Sequence, residues 1–170
     1  MALKKILAFS SSRSGNSGFL EKISPVLDKF LDSKPTNTAF IPFADAAKKY
    51  EEYALTVQNA LKNTALKINV VLPSDANSVI ENCNAILVGG GNTFKLIHDL
   101  YELDLLTLIR KKVNSGSPYI GWSAGSNILS PTISTTNDMP IIEPKSFKAL
   151  GLFAFQINPH YYNKKITGFN

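Results

Sequence analysis

Five short apolar runs, at residues 6–9, 39–43, 68–72, 85–88 and 119–122, recur along the chain, each bounded by turn residues. Runs that short, with little alternation of apolar and polar residues, suit strands covered on both faces, the pattern of a parallel sheet. Helix-length segments separate them, at about 17–31, 46–61, 93–100 and 105–114; the second carries Tyr50, Tyr53, Ala54, Val57 and Leu61 at three- and four-residue spacing. Strand and helix in alternation predict an α/β fold with a doubly wound, mostly parallel sheet. With 170 residues, 44% of them hydrophobic, the chain can bury one substantial core, so a single domain over 1–170 is expected. After Asn127 the pattern turns extended and proline-punctuated, in PTISTTNDMPIIEP and then FKALGLFAFQINPHYYNKK.

The same sequence sets several classes aside. No stretch approaches the roughly 20 apolar residues of a membrane span, and the opening MALKKILAFSSS has too short an apolar run for a signal peptide. Cys83 stands alone, so no internal disulfide can form. That fits a reducing compartment, and a cytoplasmic protein is expected. The net charge of +5 is spread as doublets, Lys4-Lys5, Lys48-Lys49, Lys111-Lys112 and Lys164-Lys165, without the interleaved aromatics of a nucleic-acid groove. Neither nucleic acid nor a membrane is expected as a partner.

Ligands of such sheets sit at the carboxyl ends of the strands, so the residues just after each strand carry the functional question. Gly121-Trp122-Ser123-Ala124-Gly125 fits G-x-S-x-G, in which a serine is held on a strained strand-to-helix turn and the next N–H meets a developing oxyanion. The plain alternative is a small residue in a tight bend. A serine nucleophile needs a base, and the chain has two histidines. His98, among Leu96, Ile97 and Leu100, reads as a packing or surface residue. His160 follows Gln156-Ile157-Asn158-Pro159, a short strand signal ended by a turn, and is the better base; its plain reading is a loop histidine beside Tyr161 and Tyr162. A third group, a carboxylate, would fix the imidazole. Asp138 and Glu143 lie between the serine and the histidine, and Asp138 also suits a turn that bonds its own backbone. GGGNTF, residues 89–94, follows the fourth strand with bare N–H groups. Gly90 and Gly91 are the expected oxyanion donors, with Ala124; otherwise the glycines only close a turn into a helix capped by Asn92 or Thr93.

GWSAGSN, with VGGGNTF, PTISTTNDMPI, INPH and IPFA, resembles the peptidase E family, bacterial α-aspartyl dipeptidases of the serine-peptidase group that includes cyanophycinase-like enzymes. The resemblance runs from the first strand to the end of the chain, with the motifs in order. It implies a flavodoxin-like fold similar to class I glutamine amidotransferase domains, and hydrolysis of dipeptides with an N-terminal aspartate. By the family's motifs, Ser123 is the nucleophile, His160 the base and Asp138 the acid, with an acid further toward the C-terminus as the alternative. Family members continue for several dozen residues after the NPH segment, whereas this sequence stops at Asn170. A domain C-terminally short relative to the family is therefore expected.

The expected reaction is acyl transfer. His160 takes the proton of Ser123, N–H groups near Gly90, Gly91 and Ala124 receive the oxyanion, and water completes hydrolysis, with no metal or cofactor. The partner that the resemblance implies is a small peptide with an N-terminal Asp, and a monomer or homodimer is expected. No Arg or Lys is marked for the aspartyl carboxylate; Arg13 is reachable in principle and reads as a loop cation in solvent. Two rivals remain. SSSRSGNSGFLEKI, residues 10–23, would suit a flavin- or nucleotide-binding module with a phosphate at the first helix N-terminus; a non-catalytic truncated remnant is the other. Cys83 precedes the fourth strand, away from its carboxyl end, and reads as packing.

Overall fold

A computed structural model describes residues 3–160. In chain order the elements are β1 (Ile6–Phe9), α1 (Ser24–Phe30), β2 (Thr36–Ile41), α2 (Tyr50–Ala60), β3 (Leu66–Val70), α3 (Ala76–Glu81), β4 (Ala85–Val88), α4 (Thr93–Glu102), α5 (Leu105–Asn114), β5 (Tyr119–Trp122) and α6 (Ala124–Asn127). The strands form one sheet in the order β1-β5-β4-β2-β3, and every pairing is parallel. The doubly wound α/β architecture is the one the alternation predicts.

Side chains of one strand feed two cores. Ile86 and Val88 of β4 pack with Leu96, Leu100, Ile109 and Val113 of α4 and α5. Ala85 and Leu87 pack on the other face with Leu27 of α1 and Val57 of α2. This is why β4 and β5 read as unbroken apolar runs and are buried at every position. The edges differ: β3 alternates half-buried with exposed residues, and Ala8 of β1 is exposed.

The register decides where the site can form. Phe9 lies beside Trp122, Gly121 beside Val88, and Val88 beside Ile41. The carboxyl ends of four strands therefore finish level, and the loops that follow them meet on one rim.

Several elements depart from expectation. α1 begins only at Ser24, because residues 10–23 close on themselves: Glu21 accepts the Gly18 N–H at 2.6 Å, and Leu20 has a positive φ. α2 begins at Tyr50 because the Asp45 carboxylate takes the Ala47 and Lys49 N–H groups at 3.1 and 2.7 Å, a local turn that competes with helix. β2 and β3 start and end about two residues earlier than expected. The short α3 was not anticipated. From 128 to 160 there is no helix or strand, only one bridge between Thr132 and Lys148. That stretch folds back on α6, with the Leu150 and Leu152 N–H groups on the Ile128 and Leu129 carbonyls, both at 2.9 Å.

Candidate active site

The turn between β5 and α6 is sterically compelled. A Cβ on Gly125 would stand 2.3 Å from the Val88 carbonyl oxygen, and one on Gly121 would stand 2.6 Å from that of Gly125. Only glycine lets the strand, the turn and β4 approach so closely. Between them Ser123 takes φ 54° and ψ −116°, a left-handed conformation that costs a non-glycine residue free energy and that surrounding packing must enforce. Here its N–H donates to the Phe9 carbonyl at 3.0 Å, and its carbonyl accepts from Ser126 and Asn127, both at 2.9 Å. The Ser126 hydroxyl reaches both the Phe9 and Gly121 carbonyls at 2.8 Å. The serine is thus presented on a rigid rim, over a core that includes the fully buried Tyr119, whose hydroxyl donates to the Gly125 carbonyl at 2.7 Å.

His160 stands at the end of the irregular stretch that follows α6. Its Nε2 lies 2.7 Å from Ser123 Oγ, and its N–H donates to Ser10 Oγ at 2.8 Å. The preceding residues form no strand, contrary to the strand signal in QINP. Their backbone groups are taken by side chains instead of a neighbouring strand: the Ile157 N–H donates to Ser130 Oγ at 2.8 Å, and its carbonyl accepts from Asn127 Nδ2 at 3.2 Å and from the Thr135 hydroxyl.

Asp138 lines the same small cleft as Ser123 and His160. Its Oδ2 accepts from the Thr93 N–H at 2.7 Å and the Thr93 hydroxyl at 2.6 Å. Among the described residues Ser123 is the side chain bonded to the His160 ring, and Asp138 is tied to α4. Asn92 caps α4 by accepting the Lys95 N–H at 3.0 Å, and its Nδ2 donates to the Met139 carbonyl at 2.7 Å. The GGGNTF turn and the NDMP turn are therefore clamped together.

The glycine loop lies against the serine. A Cβ on Gly90 would stand 2.9 Å from Ser123 Cβ, and Gly91 has φ 140°. The Gly90 carbonyl is held by the Tyr53 hydroxyl at 3.0 Å, and burial pushes the Tyr53 phenol up to about 12. Among the described residues the N–H groups of Gly90, Gly91 and Ala124 make no hydrogen bond within the chain.

The remaining sequence candidates fall elsewhere. Glu143 is exposed in an apolar groove with Phe94, Ile141 and Phe147. His98 sits with its Nδ1 3.1 Å from Asp99, in a cluster where the buried Lys95 donates to the Tyr50 hydroxyl at 2.9 Å and to Asp99. Cys83 is buried, its thiol on the Ile80 carbonyl at 3.1 Å, and burial raises its pKa. Arg13 is exposed, and with Lys22 and the serines of 10–14 it lines a cleft of about 480 Å³. α1 starts at Ser24, later than the sequence suggested, and its N-cap residue Ile23 lines this cleft together with Phe9 at the end of β1. Tyr161 and Tyr162 lie outside the described residues. Ser10, Asn127 and Thr135 were not singled out in the sequence. Asn127 had a signal, since it follows the elbow serine by one helical turn; the other two had none.

This geometry stands beside a direct match of sequence: the model of peptidase family S51 aligns with residues 6–169. The chain belongs to peptidase family S51. It is 46% identical over 170 residues to peptidase E of Haemophilus influenzae, an alignment covering 99% of this chain and 78% of that protein. To peptidase E of Nostoc it is 45% identical over 168 residues, covering 98% and 69%. The crystal structure of a putative peptidase E from Listeria monocytogenes superposes with a TM-score of 0.79 at 26% identity, over 98% of this chain and 83% of that one. With S51 membership goes the reaction class: the chain is a hydrolase, a peptidase of the serine dipeptidase type. Among the described residues no helix is long and apolar enough to cross a membrane.

Proposed function

We propose that Ser123 is the nucleophile of this peptidase and His160 its general base and acid, acting on dipeptides with an N-terminal aspartate. The observation that carries the reading is the 2.7 Å contact between Ser123 Oγ and His160 Nε2 on a positive-φ elbow. A serine hydroxyl is a weak nucleophile until a base within hydrogen-bond reach removes its proton. In this reading the uncommitted N–H groups of Gly90, Gly91 and Ala124 receive the oxyanion. Asp138, on the cleft wall with its carboxylate held by Thr93, is the acid of this reading.

His160 then protonates the leaving amine, and a water, activated by the same ring, releases the aspartyl group. The aspartyl side chain goes to the cationic cleft of Arg13 and Lys22, which borders the reacting pair through Ser10. Every group named belongs to one chain, so the reading asks for no second copy, and monomer and homodimer both accommodate it. A cytoplasmic setting completes the reading, in keeping with the free, buried Cys83.

The test is hydrolysis of an aspartyl p-nitroanilide beside its leucyl analogue. The expected result is turnover of the aspartyl compound that drops about a thousandfold or more in Ser123→Ala. Undiminished turnover in Ser123→Ala would remove Ser123 from the mechanism. Equal rates on the two substrates would remove the aspartyl preference.

A further inference from the structure

A charged side chain that the reaction as described does not use is buried behind the glycine loop. Lys95, in the first turn of α4, is 4% exposed. An ammonium out of water is unfavourable unless it is paired and hydrogen-bonded. Its Nζ donates to the Tyr50 hydroxyl at 2.9 Å and to Asp99 Oδ2, and the Tyr50 hydroxyl donates to the same Oδ2 at 3.1 Å. Asp99 Oδ1 faces His98 Nδ1 at 3.1 Å. Burial alone would push the lysine down, but Asp99 and Tyr50 together hold it above its ordinary value, so it is a cation in the fold. Stability does not account for such a pair, because apolar side chains of similar volume often replace a buried ion pair without loss.

The cluster joins two helices. Lys95 and Asp99 stand one turn apart on α4, whereas Tyr50 is the first residue of α2. Among the described residues no other side-chain hydrogen bond links α2 to α4. Both helices also hold the glycine loop, one at each end. From α2, Tyr53 donates to the Gly90 carbonyl at 3.0 Å. From α4, the Lys95 N–H donates to Asn92 Oδ1 at 3.0 Å. The contacts therefore close into a ring: Gly90 to Asn92 along the backbone, Asn92 to Lys95, Lys95 to Tyr50, Tyr50 to Tyr53 along the helix, and Tyr53 to Gly90. Three consecutive glycines impose little conformation of their own, so the direction of their N–H groups is set by what grips the loop.

We infer that Lys95 is a positioning residue: by fastening α2 to α4 through Tyr50 and Asp99, it sets where the Gly90 and Gly91 N–H groups point. The inference rests on the reading of those groups as oxyanion donors and adds the device that aims them. Such donors act when charge develops on the oxygen, so displacing them weakens the transition state and leaves substrate binding as it was. The loss falls on kcat. It is smaller than the roughly hundredfold loss that follows deletion of a donor, because the N–H groups are moved and not removed.

Two variants of the full chain open the ring at different members. Tyr50→Phe removes the link between the helices and leaves Lys95 paired with Asp99 inside α4; Lys95→Met removes the cation and keeps an apolar stem. Amide hydrogen exchange reads the loop directly, at its two bonded amides: Gly89, on the Ile41 carbonyl at 3.1 Å, and Asn92, on the Ala44 carbonyl at 2.8 Å. Exchange at these two is expected to quicken about tenfold in either variant while the amides of β5 keep their rates. No change at Gly89 and Asn92, or an equal quickening throughout the sheet, the sign of a merely structural role, overturns the inference. Should Lys95→Met not fold, Tyr50→Phe carries the test alone, since it leaves no charge unpaired.

Kinetics on the aspartyl p-nitroanilide supply the second reading. In each variant kcat is expected to fall about fivefold with KM unchanged, and the affinity for the boronic acid analogue of aspartate, a mimic of the tetrahedral intermediate, to fall by the same factor. The double variant should lose no more than either single one, because both open the same ring. An unchanged kcat, a raised KM at constant kcat, or losses that multiply in the double variant overturn the inference. Turnover that persists in Ser123→Ala, or is absent from the unmutated chain, counts against the dipeptidase reading only; exchange at Gly89 and Asn92 then still decides whether Lys95 sets the loop.

Discussion

The two halves of the proposed reacting pair are delivered by regions built on opposite principles. Ser123 stands at the end of β5, a strand buried at every position between β1 and β4, and its turn is locked by backbone contacts that leave no space for a side chain. His160 stands at the end of an irregular strap, 128–160, whose last residues are held by the side chains of Ser10, Asn127, Ser130 and Thr135. The first region derives its precision from packing, which is dense and intolerant of added volume. The second derives it from a few directional hydrogen bonds, each worth about 0.5–1.5 kcal/mol net. Position at Ser123 should therefore fail with stability, and position at His160 should fail well before it.

The sharpest way to break this contrast is at the elbow. Gly125→Ala puts a methyl 2.3 Å from the Val88 carbonyl, a backbone atom that cannot swing aside. Stability is expected to fall by about 1–3 kcal/mol, and hydrolysis and labelling of Ser123 by a fluorophosphonate to disappear together, as read by thermal denaturation and intact mass. Survival of labelling at undiminished stability would show the elbow to be softer than its contacts imply.

On the strap, Thr135→Val keeps the shape but removes the hydroxyl shared by the Ile157 carbonyl and Asn127 Nδ2. The expected loss in kcat is about tenfold, with a melting temperature lowered by only a few degrees and with Thr135→Ser restoring activity. A collapse of stability in Thr135→Val would put the strap in the same class as the elbow.

The smallest effect concerns the glycine loop, which Tyr53 steadies from the α2 side through the Gly90 carbonyl at 3.0 Å. Burial raises the Tyr53 phenol to about 12, above its ordinary value of 10. The folded form therefore keeps a proton that the unfolded chain gives up first. Stability from this group is complete below pH 10 and is lost as pH climbs from 10 through about 12. Tyr53→Phe should flatten part of that alkaline decline in chemical denaturation and lower kcat only a few-fold. An unaltered alkaline slope would assign the decline to other groups, such as the buried Tyr119.

What could be read in advance follows the same division. β4, β5 and α5 were legible to the residue, because continuous apolar runs and helical periodicity are local records of burial. The G-x-S-x-G turn was legible because its glycines answer to close backbone approach, a requirement that leaves a fixed trace in residue type. α3 was missed because Ala76–Glu81 is short, with only Ala76 and Ile80 buried. The starts of α1 and α2 were misplaced because single side chains, Glu21 and Asp45, divert backbone N–H groups into turns. Ser10, Ser130 and Thr135 carry no mark: a serine or threonine in a loop looks the same whether its hydroxyl meets water or secures a histidine segment.

By itself, then, the sequence determined the doubly wound sheet, the rim on which ligands must sit, and the serine and histidine worth questioning, since periodicity and glycine spacing are imposed by the chain's own backbone geometry. Tertiary structure decided the rest. It alone brought His160 within 2.7 Å of Ser123, assigned the Asp138 carboxylate to Thr93, and left Asn127 Oδ1 buried without a donor. Each of these depends on which side chain, distant in sequence, occupies a hydrogen-bonding direction, and that is settled only when the strap has packed against the sheet.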